Sequence, residues 1–129
     1  MPVICFGQNV NIPDANFKAY LVGNTSINTN GDSEIQVSEA NSFSGIINCN
    51  GLLGSVINDL TGIEAFINLT EINIENNNVT NLDLSNNTSL TFVDAENNNL
   101  VSINLGNNTS LSYLDCSNNQ LNKKIKLTW

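Results

Sequence analysis

The sequence predicts a mainly β protein, a right-handed β-solenoid-like horseshoe of stacked coils with a small helical cap at its N-terminal end. Three observations predict it. LTEINIENNNV begins at Leu69 and returns as LTFVDAENNNL at Leu90 and LSYLDCSNNQL at Leu111, a step of 21 residues each time. Between these copies the apolar residues alternate with period two, which suits extended backbone and not helix. Upstream, helix-start residues flank a polar loop, as expected of a cap that shields the first coil.

A period of about 20 to 29 residues with apolar residues at the first, fourth, sixth and eleventh positions and Asn at the ninth is the signature of a leucine-rich repeat. One such unit cannot bury its own apolar edge, so successive units must stack. Four inward ladders follow: Leu69, Leu90 and Leu111; Ile72, Val93 and Leu114; Ile74, Ala95 and Cys116; Val79, Leu100 and Leu121. Asn77, Asn98 and Asn119 sit where the chain leaves the strand, and an amide that both donates and accepts can satisfy backbone groups buried there. The return stretches VTNLDLSNNTS and LVSINLGNNTS match Leu82 with Ile103 and Leu84 with Leu105, predicting a short extended segment on the back of each coil and turns at NNTS.

Upstream the period loosens. Ile47 and Cys49 read as the strand of a degenerate first coil, and Ile57, Leu60, Ile63 and Phe66 follow at spacings that suit a short helix or 3₁₀ turn. The surplus residues fall in NGLLGSV, an insertion or bulge. Farther upstream, Asp14 can cap a helix carrying Phe17, Tyr20 and Leu21, and Ser38 with Glu39 can begin a second one carrying Ala40 and Phe43. The organisation expected is thus 1–8, a signal-peptide remnant or N-terminal extension; 9–45, the helical cap; and 46–129, the repeats with a final strand in KKIKLTW.

Between the cap helices a degenerate, EF-hand-like calcium loop can be traced. Counting from Asn28, oxygen ligands would come from Asn28, Asn30 and Asp32, the backbone carbonyl of Glu34 and the carboxylate of Glu39. The first ligand is Asn where Asp is usual, and Ser33 stands at the glycine turn, so affinity should be low. The competing reading is a metal-free cap stabilised by Asx turns, and apart from calcium at this loop no cofactor is expected.

The formal charge of −8, with four basic residues, excludes a nucleic-acid footprint. No run is long enough for membrane insertion. Three cysteines cannot pair completely, and Cys49 and Cys116 fall on one ladder about 14 Å apart at the usual strand spacing, beyond disulfide reach. Catalytic signs are few: no His, no nucleophile beside a base, no glycine-rich phosphate loop and no metal-spaced Cys cluster. A polysaccharide-active carboxylate pair is the remote catalytic alternative.

On the outward strand face, Glu71, Asn73 and Glu75 align with Phe92, Asp94 and Glu96, then with Tyr113, Asp115 and Ser117. These are the candidate ligand-binding residues, with Phe92 and Tyr113 expected to lie a rung apart, about 5 Å, as an apolar platform. Taken together, LDCSNNQL, LDLSNNTSL and the cap segments IPDANFKAYL and NTNGDSEIQVSEA resemble the short-repeat bacterial leucine-rich repeat proteins of the internalin and adhesin groups. The resemblance implies a secreted or cell-surface module that recognises a protein or carbohydrate ligand, or a calcium-stabilised structural module of a larger exported protein. An exposed last rung would also invite end-to-end or edge dimers.

Overall fold

Parallel strands stack, 25 residues apart for the first pair and 21 for the next two, because each brings the same alternation of apolar and polar residues to the same height. A computed structural model describes residues 7–51 and 54–122. Its main sheet has four strands, β1 (Ile46–Asn48), β2 (Glu71–Asn73), β4 (Phe92–Asp94) and β6 (Tyr113–Asp115), all parallel in that order. Ile47 pairs with Ile72, Ile72 with Val93, and Val93 with Leu114, so the expected ladder is the observed register and Ile47 extends it by a rung. On the back of the coils β3 (Asn81–Asp83) and β5 (Ser102–Asn104) form a second parallel pair with Leu82 opposite Ile103.

The two sheets enclose one apolar spine. Leu69, Leu90 and Leu111 line up in it together with Ile74, Ala95, Val79 and Leu100, all buried. The last described rung is less covered: Leu114, Cys116 and Leu121 are half-buried. In the degenerate coil Ile63–Ala65 form the 3₁₀ turn that the spacing predicts. The expected final strand in KKIKLTW lies outside the described residues, as do residues 1–6 of the N-terminal extension. Among the described residues no helix is long and apolar enough to cross a membrane.

The cap consists of α1 (Ala15–Gly23) and α2 (Val37–Ser42). Asp14 caps α1 through one carboxylate oxygen, which accepts from the N–H groups of Asn16 and Phe17 at 2.9 and 3.0 Å. The other oxygen accepts from Asn58 and Asp59 at 2.8 and 3.2 Å, so one side chain both starts the helix and ties it to the first coil. Burial alone would raise the pKa of Asp14, but these four N–H groups bring it below the ordinary value. The start of α2 differs from expectation: Gln36 is its cap, not Ser38, and Glu39 lies three residues on, accepting from the Gln36 N–H at 3.0 Å. A carboxylate reaching back from that position satisfies an N–H that a short Ser hydroxyl one turn in cannot reach.

The cap also closes the sheet. Tyr20 Oη accepts the Asn48 N–H at 2.9 Å, and Phe43 meets Phe66 edge-on at 6.3 Å. Strand β1, the first in the sheet, thereby has a hydrogen-bonding partner on a helix, one way in which proteins protect a sheet edge. Residues 8–10 join the cap: Gln8 O accepts from Val37 N, and Val10 N donates to Ile35 O, both at 2.8 Å.

Candidate functional site

The amide ladder fixes the site's geometry. Asn98 Nδ2 donates to the carbonyls of Ile74, Ala95 and Glu96 at 2.8, 3.3 and 3.2 Å, and its Oδ1 accepts from Val79 N at 3.0 Å. Asn77 does the same with Cys49, Ile74 and Glu75 carbonyls and the Ile57 N–H; Asn119 does it with Ala95, Cys116 and Ser117 carbonyls and the Leu100 N–H. Each amide therefore bridges its own turn to the preceding coil, the structural role expected of the three. The residue before each one, Asn76, Asn97 or Asn118, has a φ of 58, 54 or 52°, a left-handed conformation that Asn tolerates better than most residues. Gly51 stands at the equivalent position of the first coil without a left-handed φ, and is needed there for space, since a Cβ would lie 1.9 Å from Asn76 O.

Two further amides point inward from the NNTS segments, for which the sequence predicts turns. Asn87 is fully buried and donates to the carbonyls of Ile63 and Phe66, both at 2.9 Å; Asn108, half-buried one coil on, donates to Leu84 O at 3.1 Å. The signal was present: the second Asn of NNTS recurs at 21 residues in both copies, as Asn77 and Asn98 do.

The turns hold up the outward face. Asn73 and Asp94 accept from the N–H two residues on, at 3.0 and 3.2 Å, and Asp115 accepts from Ser117 N and Oγ at 2.9 and 2.6 Å. All nine predicted face residues lie on one side of the sheet. Glu71, Phe92 and Tyr113 form one row across β2, β4 and β6, and Asn73, Asp94 and Asp115 the next. Glu75, Glu96 and Ser117 follow just past the strands. Ile46, Asn48 and Asn50 extend the rows to β1, a rung the sequence reading left out of the face. Phe92 and Tyr113 stack with centroids 4.4 Å apart and planes 5° from parallel, and Tyr113 is 44% exposed.

Charge accumulates here. Burial first, and then the neighbouring Glu75 and Asp115, hold the Asp94 carboxyl above its ordinary pKa despite the hydrogen bond from Glu96. Asp115 is held below, chiefly by the Ser117 hydroxyl and N–H. The two described thiols resist ionisation: burial pushes Cys49 up to about 12 and raises Cys116 as well.

The calcium-loop residues share one loop and spend polar atoms on one another and on neighbouring residues of the cap. Asn28 is buried and turns its Nδ2 to the carbonyls of Val22 and Asp32 at 3.0 and 2.8 Å, while Asn30 Nδ2 donates to Asp32 Oδ2 at 3.0 Å. Glu34 pairs with Lys18 at 2.8 Å. Glu39 Oε1 accepts from Thr29 N, Thr29 Oγ1 and Asn30 N at 2.8, 3.1 and 3.2 Å. Among the described residues no three His, Cys, Asp or Glu side chains form a group that could hold a metal ion. On the back of the coils, an open groove of about 610 Å³ runs between residues 58–64 and the β3–β5 pair, lined by Asp59, Glu64, Asp83 and Asn104 among others. The period-two pattern alone does not reveal it, because its other wall comes from the degenerate coil.

No protein-family model matches the sequence, and no curated protein does. Solved structures do. The functional domain of InlJ from Listeria monocytogenes, described as including a cysteine ladder, is similar over 95% of this chain and 27% of that one, with a TM-score of 0.76 and 31% identity. An internalin, InlF, from the same species aligns over 95% of this chain and 36% of that one at a TM-score of 0.71 and 21% identity. The chain is an internalin-like leucine-rich repeat protein. It spans about a third or less of these internalin chains. The CBM51-2 and INT domains of Clostridium perfringens ZmpB match more distantly, over 75% of this chain and 19% of that one, at a TM-score of 0.55 and 26% identity. In this leucine-rich repeat protein the ladder of Cys49, Ile74, Ala95 and Cys116 carries cysteine only at its first and fourth rungs, and both are free thiols.

Proposed function

We propose that this protein is a non-catalytic binding module that works at the bacterial surface or outside the cell and recognises a protein or carbohydrate ligand through the face of its four-stranded sheet. The stacked Phe92–Tyr113 pair carries the reading. Neither ring is needed to fill the spine, and an exposed aromatic platform beside amides and carboxylates is suited to specific contact. Catalysis is disfavoured by what the carboxylates do: Asp94 and Asp115 hold turns that Asn73 holds in its own rung, so an acid at this position has a repeat-wide structural use.

Protein and glycan arrays test the proposal. The intact chain should capture a ligand, and Phe92→Ala with Tyr113→Ala should abolish capture while shifting the melting temperature little. A ligand retained by the double variant would rule out this face.

The cap, we further propose, is held by its own hydrogen bonds and not by calcium. At about 1 mM calcium, within the range that extracellular sites require, the melting temperature should not move. A rise lost in Asp32→Ala would establish an ion site.

A further inference from the structure

Five of the chain's twelve carboxylates, Glu71, Glu75, Asp94, Glu96 and Asp115, lie on the sheet face. Among the described residues Lys18 is the sole Lys or Arg, and it is bound to Glu34 on the cap. The acids of the face receive neutral donors instead: Asn50 to Glu75 at 2.8 Å, Asn73 to Asp94 at 3.5 Å and Asn118 to Glu96 at 3.2 Å. Among the described residues these amide donors leave the negative charge without a cationic partner, and carboxylates have further lone pairs to offer.

The fold does not need that charge. Asn73 makes the same turn bond as Asp94 and Asp115, and Asn48 a longer one at 3.4 Å, so the repeat tolerates a neutral amide where the third and fourth rungs carry acids. Those acids stand beside the aromatic pair. Phe92 and Asp94 are two residues apart on one face, as are Tyr113 and Asp115, a separation of about 7 Å along a strand. That length matches the apolar stem of a Lys or Arg side chain, which buries its methylenes on apolar surface and keeps its charged head in a polar setting. Two such tracks run side by side, one rung apart.

Resting on the sheet-face reading proposed above, we infer that the ligand is a basic polypeptide segment, with Lys or Arg stems lying on the Phe92–Tyr113 stack and their cationic heads against Asp94 and Asp115. Apolar platform and charge complementarity then coincide on the same two rungs. The pKa of Asp94 is raised first by burial and then by Glu75 and Asp115, and a cation docked there relieves that second, repulsive part.

A labelled oligoarginine peptide, followed by fluorescence anisotropy at low salt, is the probe. Asp94→Asn with Asp115→Asn should weaken its binding about tenfold or more, whereas Asp59→Asn with Asp83→Asn, an equal charge change on the back groove, should leave it within about twofold. Tyr113→Ala should weaken it too. Thermal melting controls for folding, and Asp94→Asn should melt no lower than the parent because it keeps the turn bond and removes a like charge. Equal losses in both double variants would reduce the effect to net charge and overturn the inference, as would absence of oligoarginine binding. If the arrays find a ligand that needs Phe92 and Tyr113 while oligoarginine does not bind, the basic-partner inference fails and the sheet-face function stands. If no captured ligand depends on the two aromatics, the function itself fails.

Discussion

Asn98→Ala should be the most damaging single amide substitution in the repeats. The change removes four hydrogen bonds and strands the Val79 N–H between two coils, whereas the carbonyls of Ile74, Ala95 and Glu96 keep their bonds from Asn77, Asn119 and the Asn76 N–H. A buried donor left without a partner costs about 1–3 kcal/mol and each of the three other lost bonds about 0.5–1.5 kcal/mol, so the variant should lose about 3–5 kcal/mol after local relaxation. For a chain of this size that corresponds to a drop of about 10–20 °C in melting temperature. Asn98→Asp should be no better, because a carboxylate can accept from Val79 but cannot donate to three carbonyls. Asn86→Ala, in an exposed turn, should stay within about 0.5 kcal/mol. Because stacked coils depend on their neighbours, the loss should also widen the unfolding transition. An Asn98→Ala protein that melts with the parent would show that the ladder is dispensable.

Glu39→Gln should have the next largest effect, and it acts on the cap. The carboxylate is buried and accepts from Thr29, Asn30 and Gln36 backbone N–H groups with both of its oxygens. Gln offers one oxygen and turns an NH₂ group toward donors on the other side, so charge-assisted bonds are lost and donor faces donor. A loss of about 2–4 kcal/mol is expected. The loop from Thr29 to Gln36 covers Ile27, Ile35 and Ala40, and its loosening exposes the apolar end of the spine. Hydrogen exchange should locate the change: Thr29, Asn30 and Gln36 amides should lose protection before those of β4 do. Uniform acceleration across the chain would place Glu39's role elsewhere.

Much of the fold was legible because a solenoid reduces structure to one repeated decision. Leu69, Leu90 and Leu111 must superpose if the period is constant, and the alternation of Ile72, Asn73 and Ile74 assigns inward and outward faces at once. The aromatic stack followed from the same arithmetic. Asn87 and Asn108 were legible by that rule too, but polar residues in a turn-like NNTS read as solvent-facing unless their recurrence is weighed. Ser38 was chosen as a helix cap by local preference, and the longer reach of Glu39 back to Gln36 prevailed. The calcium-loop pattern matched by spacing, but spacing does not say whether an amide such as Asn28 turns outward to an ion or inward to Val22 and Asp32.

The sequence by itself determined the coil period, the register of the main sheet and the identity of its outward face, because each depends only on residue type at a fixed interval. The tertiary structure alone decided which polar side chains are spent inside the protein and which remain for a ligand. Hydrogen-bond partners come from residues 20 or more positions away, as with Asp14 and Asn58 or Tyr20 and Asn48. Their pairing depends on how the cap and the degenerate first coil settle against each other, and no periodic rule governs that contact.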